Sequence, residues 1–438
     1  MKRFFSFLLT LVLVLSLVAC GKSEPETPTL LGNQKFDTFV AGYGKVDCTP
    51  NSPVYLEGYQ NNIERLSTGV KDAFYALTTA LTDTNGNTLL IIVTDLAFGD
   101  IDQTNEVRAA VKEKFGIPAE NVLVGGTHNH NGPAYNGEAS TRPENRAYLT
   151  YWLQCVVKSV EQALNDRKPA QINIGAGDAE GLTFVRRYFR ADGCLTGAGL
   201  ADRYPDCNEP IVAYESEGDN EAQFVKFVRE GAEDILIAQW QCHATTYGNT
   251  TIASTDWVGP MREKMEEELG CHVMYMQGFA GNMNPNTREP FTKEYPTVNN
   301  VDIKGGMIAD AFLELVTSDG FFTPINSGDI KVKQQIYSDA GTYRPQYWEV
   351  EMTSVAIGEL SLIAIPVEMH AESGLEIKEG TPFKMTLMMG YTNGIGGYVA
   401  TRLSYENGGY GVVDGRANEN SADNMVKLWL EQLNELHG

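Results

Sequence analysis

The segment Val122-Leu-Val-Gly-Gly-Thr-His128-Asn-His130-Asn-Gly-Pro133 runs an apolar strand pattern into a Gly/Pro turn and delivers two imidazoles, one residue apart, at its end. The chain has only six histidines, at positions 128, 130, 243, 272, 370 and 437, so two of them at one strand end is an uneven use of scarce ligands. That is how a metal site starts. A catalytic zinc site takes about three N/O ligands from the protein and leaves a position for water, whose pKa falls to about 7. His128, His243 and Glu368 form such a set. Glu368 follows Ala-Ile-Pro-Val with no Lys or Arg near it in sequence, so burying its carboxylate calls for a cation.

These residues need elements to position them. Strand-length apolar runs alternate with amphipathic helical patterns: strands over 88–96, 121–127, 235–240 and 272–277, helices over 103–115, 145–165, 257–269 and 304–316. Further strands are predicted over 330–337, 348–352, 361–366 and 384–389, with a closing helix over 422–436. The alternation predicts a single large mixed α/β catalytic domain over 37–438, with a small insertion around 190–225. Four of the apolar strands end in a candidate ligand or in a turn carrying one, at His128, His243, Glu368 and, through Tyr391, Tyr398. Groups delivered from the carboxyl ends of neighbouring strands converge on one crevice in open α/β sheets, so zinc ligands at strand ends are expected.

The 438 residues are 42% apolar, ample for a large core, and the net charge is −23. A surface that acidic repels nucleic acid and other polyanions. Lys2 and Arg3, an apolar run to Val18 and the tetrapeptide Leu17-Val18-Ala19-Cys20 read as a secretory leader over 1–19. Leu-Val-Ala-Cys resembles a bacterial lipobox, which implies cleavage before Cys20, a lipid on its sulfur and an extracytoplasmic protein tethered to a membrane. The polar, Pro-punctuated stretch to residue 36 suits a spacer. Six cysteines remain after Cys20; an exported chain permits disulfides. Cys194 and Cys207, bracketing a Gly/Asp-rich loop, are the expected pair, and Cys155, on the apolar side of a helix, is expected as a buried thiol.

Thr127-His-Asn-His-Asn-Gly-Pro133 resembles the Thr-His-Thr-His-Ser-Gly-Pro signature of neutral ceramidases, zinc amidases that split ceramide into sphingosine and fatty acid. Other segments follow in the same order. Gly42-Tyr-Gly-Lys-Val-Asp-Cys-Thr-Pro50, Leu56-Glu-Gly-Tyr59, Val93-Thr-Asp-Leu96, His243 with Ser254-Thr-Asp256, Gly278-Phe-Ala-Gly-Asn-Met-Asn-Pro-Asn286 and Ile365-Pro-Val-Glu368 each resemble a family block. The resemblance implies zinc ligands at His128, His243, Glu368 and Tyr398, a proton shuttle at His130 and an oxyanion donor at Tyr410. It implies a substrate-orienting arginine at Arg186 or Arg187, with Arg186 marginally preferred and Arg187 then binding substrate. Two features depart from the family. Asn282 and Asn284 stand where the family has aspartate and serine, which places Asn284 among the substrate-binding residues and bears on head-group recognition. The family's C-terminal β-sandwich has no counterpart before Gly438, so the expectation is a hydrolytic core alone.

The mechanism implied is metal-assisted hydrolysis of an N-acyl amide, in ceramide or a related lipid beside the membrane. A hydrolase on the same core could instead cut a different amide or a carbohydrate-linked bond. A reading of another class is a tethered solute receptor, which would bind its ligand without consuming it. Met274-Tyr-Met and Met388-Met could line an acyl pocket or belong to the core.

Overall fold

The computed structural model describes residues 30–59, 62–97, 100–191, 195–197, 211–285, 300–343 and 346–438. A nine-stranded sheet runs in the order His272–Gln277, Ile235–Trp240, Glu221–Arg229, Lys168–Asp178, Val40–Asp47, Tyr75–Thr82, Thr88–Thr94, Val122–Gly126, with Thr323–Ile325 also paired to Lys168–Asp178. A second sheet has four strands, Ile330–Ala340, Tyr347–Ile357, Leu360–Ala364 and Met385–Met389. Pairing is mixed. Thr88–Thr94 runs parallel to Val122–Gly126, Ile235–Trp240 to His272–Gln277 and Leu360–Ala364 to Met385–Met389, and the other pairs within the two sheets are antiparallel.

The cores define four layers. Ile91, Leu123, Met274 and Met276 of the large sheet pack against Val355, Leu362, Leu387 and Met389 of the small one. On the outer face of the large sheet, Trp152, Val156 and Val160 of the helix Pro143–Asn165 cover Ala76, Ala80, Leu90 and Val124. Met261 and Met265 of Val258–Leu269, with Ile308 and Phe312 of Val301–Val316, cover Phe224, Leu236 and Val273. The outer face of the small sheet is covered by Met425, Trp429 and Leu433 of Ser421–His437. Strands covered on both faces must be apolar throughout, which is why Thr88–Thr94 is buried along its whole length. The strand Val40–Asp47 presses on its helix through glycines: a Cβ on Gly42 would lie 2.1 Å from the Ala163 carbonyl, and one on Gly44 2.0 Å from that of Ser159.

Every long element expected from the periodicity is present, with differences at the ends. Three helices begin two or three residues earlier than their apolar patterns because polar or Pro residues start them. The Asp100 side chain accepts from the Ile101 N–H, Pro143 occupies the first turn of its helix, and Asn300 accepts from Asp302 and Ile303. The methionine runs are core: Met274, Met276, Met388 and Met389 are all buried in the sheet layers. Cys48, Cys155, Cys242 and Cys271 are buried free thiols. The Cys194–Cys207 pairing, the leader and Cys20 lie outside the described residues. Around the segment 190–225, Arg187–Arg190, Leu195–Gly197 and Ile211–Tyr214 form a small three-stranded sheet. Among the described residues no helix is long and apolar enough to cross a membrane.

One expectation about convergence changes. The strands carrying His128 and His243 are not neighbours; they belong to opposite ends of the large sheet. Right-handed twist accumulates across that many strands, and the sheet curls until His272–Gln277 touches both Thr88–Thr94 and Val122–Gly126. The loops beyond the strands then meet, and Asn129 forms a parallel bridge with Ala244.

Candidate metal centre

His128 follows Val122–Gly126 at a backbone φ of 59°, in the left-handed region, which bulky residues occupy only where the surroundings impose it. Its backbone N–H donates to the Leu96 carbonyl and its Nδ1 lies 3.1 Å from the Ala97 carbonyl. A carbonyl can only accept, so Nδ1 carries a hydrogen and Nε2 is the nitrogen left to face the cluster. His243 is held in the same way, with its Nδ1 2.9 Å from the Met283 carbonyl. Glu368 sits on a two-residue strand, Glu368–Met369, paired parallel to Tyr398–Val399.

The donor atoms converge. His128 Nε2 lies 3.5 Å from Glu368 Oε2, His243 Nε2 3.4 Å from the same oxygen, and His130 Nε2 3.3 Å from His128 Nε2. Ligand bonds of about 2.0–2.1 Å around a tetrahedral ion put neighbouring donors about 3.3–3.4 Å apart. His243 Nε2 and Glu368 Oε2 are buried and without a hydrogen-bond partner among the described residues. Burial, then the Arg186 guanidinium, pushes the His243 imidazole down to about 3. Burial, then the neighbouring His128 and His243, likewise holds His130 well below the ordinary imidazole range. Burial alone would raise the Glu368 carboxyl, but His128 and His243 outweigh it and hold it well below the carboxylate range. A carboxylate and imidazole lone pairs aimed into one dry volume repel each other unless a cation lies between them. His128, His130 and His243, with donors all within 4.8 Å of one another, are fit to hold a metal.

The remaining expected residues fall around this cluster. The Tyr398 hydroxyl is 3.0 Å from both Arg186 Nη2 and the Tyr410 hydroxyl. The Arg186 guanidinium carbon lies 4.9 Å from the Tyr410 ring centroid, and Nη2 also donates to the Gly281 carbonyl. Burial keeps the Tyr398 phenol well above its ordinary value, Arg186 opposing. Arg187 faces elsewhere: its guanidinium is taken up by Glu215 and by the carbonyls of Ser404, Gly408 and Tyr410. Asn284 lies on Met283–Pro285, paired to Thr183–Val185, with its Oδ1 buried and unpartnered among the described residues. Asn282 donates at 2.9 Å to both Glu372 oxygens and accepts from the Ala371 N–H. An aspartate there would set acid against acid.

Sequence reasoning passed over several residues. Tyr391, with φ 55°, lays its ring 3.8 Å from that of His128. Arg65 donates to the His130 carbonyl and to Asn131 Oδ1, bracing the turn from below. Asp95, paired in a buried double hydrogen bond with Arg262, accepts through its carbonyl from Asn129. Asn129 and Asn131 stood inside the Thr127–Pro133 motif, Asp95 inside Val93–Leu96 and Tyr391 at the end of an apolar run, but none of these signals assigned a role.

A family model for neutral/alkaline non-lysosomal ceramidase, N-terminal, matches residues 39–301, more than half of the chain. The protein belongs to that family, which makes it a ceramidase-like hydrolase. Among solved structures, the neutral ceramidase from Pseudomonas aeruginosa superposes with a TM-score of 0.74 at 17% identity, covering 91% of this chain and 74% of that one. A ceramidase complexed with C2 superposes at 0.72, also at 17% identity, covering 90% and 74%. At that identity the superpositions speak for the fold.

Proposed function

We propose that this protein is a zinc-dependent amidohydrolase that cleaves the N-acyl amide of ceramide or a related N-acyl lipid. The observation that carries the reading is the convergence of His128 Nε2, His243 Nε2 and Glu368 Oε2 next to His130, in a chain of the ceramidase family. In this reading Tyr398 completes the ligand set. Zinc held there would supply a Lewis acid and lower the pKa of a bound water to about 7. His130, kept neutral by burial, would take the proton from the attacking water as its oxygen adds to the amide carbonyl carbon. It returns that proton to the amine nitrogen as the C–N bond breaks, so fatty acid and amino alcohol leave. Tyr410 donates to the oxyanion that forms, and Arg186 orients the Tyr398 and Tyr410 hydroxyls. Asn284 is the residue through which head-group choice would differ from the family pattern.

The test is zinc content together with fatty-acid release from a fluorescent ceramide, for residues 21–438 and for His128→Ala. One zinc per chain with zinc-dependent release, both lost in the variant, is expected. Zinc without release moves the substrate to another amide or to a carbohydrate-linked bond. Absence of zinc with reversible ligand binding leaves a solute receptor. Anchoring through a lipid on Cys20, which would hold the site beside lipid substrates outside the cytoplasm, rests on the leader and its Leu-Val-Ala-Cys motif. Full-length Cys20→Ala should leave the membrane fraction; unchanged partition would refute the anchor.

A further inference from the structure

Tyr410 is the only side chain longer than hydrogen in the turn Gly408-Gly409-Tyr410-Gly411. The three glycines take φ of 69°, 83° and 84°, so the turn has a backbone that strains other residues and little stiffness of its own. Within the segment, Gly408 N–H donates to the Ser404 carbonyl and Val412 and Val413 N–H to that of Gly409; side-chain ties come from two other segments. Arg187 donates to the Tyr410 carbonyl through Nη1 and to the Gly408 and Ser404 carbonyls, at 2.7 and 3.2 Å, through Nη2. Glu215 takes Arg187 Nε and Nη2 on its two oxygens and also accepts from the Ser404 hydroxyl at 2.8 Å and the Asn407 amide at 3.0 Å. The Glu215 N–H donates to the Arg187 carbonyl, tying the two backbones together. These side chains are 3% and 2% exposed.

A buried ion pair is weak evidence for stability, because desolvation offsets the attraction. Here its hydrogen bonds end on the turn carrying Tyr410 and on the helix Arg402–Asn407 before it. Its neighbour in sequence, Arg186, points to the opposite side and meets the Tyr398 hydroxyl and the Tyr410 ring. The tandem arginines thus hold Tyr410 from two directions, one at the backbone and one at the ring. We propose that Glu215, acting with Arg187, is a positioning pair that sets the Tyr410 hydroxyl against Tyr398 and Arg186. The inference rests on the proposed role of Tyr410 as oxyanion donor and gives Arg187 a place away from the substrate.

The full chain loaded with zinc is tested as wild type, Glu215→Gln, Tyr410→Phe and the double variant, with Arg187→Lys as the alternative should Glu215→Gln fail to fold. Glu215→Gln should lower kcat for amide hydrolysis by about 10- to 100-fold with KM nearly unchanged, and should cause no further loss in the Tyr410→Phe background. Equal losses in both backgrounds would overturn the proposal, since a general structural defect does not depend on the Tyr410 hydroxyl. A substrate-free readout keeps the two readings apart: 3-fluorotyrosine at position 410 should give one fluorine resonance in the wild type and a broadened or split one in Glu215→Gln. An unchanged resonance overturns the positioning pair whatever the substrate. A changed resonance in a protein that hydrolyses no amide upholds the pair and sinks the hydrolase reading instead.

Discussion

His130 is the residue whose role decides the chemistry. Its Nε2 sits at ligand–ligand distance from His128 Nε2, yet its Nδ1 is buried without a partner among the described residues, whereas both His128 and His243 have Nδ1 fixed by a backbone carbonyl. A fixed ring is what a ligand needs; a ring without that tether can turn and carry a proton. We therefore expect His130→Gln to keep its zinc, measured by metal analysis after dialysis, while hydrolysis falls by about 100-fold or more. Loss of zinc would make His130 a ligand. Of the nine site residues named from the sequence, Arg187 is the one whose surroundings differ most from its expected role, because Arg186 sits at the bend between Thr183–Val185 and Arg187–Arg190, which pair into different sheets, and sequence alone does not say which arginine faces the metal.

At the scale of elements, the loop after Ile235–Trp240 brings His243 to the site and is folded around one buried carboxylate. Asp256 accepts the backbone N–H groups of Thr246, Tyr247 and Trp257. Burial, with those N–H groups opposing, pushes its carboxyl up to about 6. The folded value lies above the ordinary 3.8, so the stability contributed is present at and below pH 4 and is lost as pH rises through 6. The shift corresponds to about 3 kcal/mol. Urea unfolding between pH 4 and 7 should therefore show the wild type losing about that much relative to Asp256→Asn, whose profile lacks this titration. Parallel profiles for the two proteins would refute it. The strands and helices here were legible because periodicity is a local property; the Asp256 loop was not, because its partners are backbone groups that carry no residue identity.

For the whole molecule, the metal donors come from positions 128, 243 and 368, one loop beyond each end of the large sheet and one strand beyond the small sheet. A cation there would tie both sheets together, and only in the folded state. A ligand bound only to the folded chain stabilises it by about 2.7 kcal/mol at a hundredfold excess over Kd. Chelation should accordingly lower the melting temperature, and zinc should restore it in a concentration-dependent way; a melting temperature indifferent to both would mean that the donors do not share an ion.

The sequence by itself determined the long helices, the outer strands of the large sheet, the mixed α/β class and the family, since apolar periodicity and a spaced pair of histidines are written in local order, but not the central strands Val40–Asp47, Tyr75–Thr82, Lys168–Asp178 and Glu221–Arg229. It also showed the Gly408–Gly411 run without saying what holds it. Only the tertiary structure decided that strands at opposite ends of one sheet meet, because twist accumulates over many pairings and no single strand encodes it. The tertiary structure likewise decided that Tyr391 backs His128, that Glu372 complements Asn282, and that Arg186 and Arg187 part ways. Each of those depends on which surface another segment, more than fifty residues distant, comes to occupy.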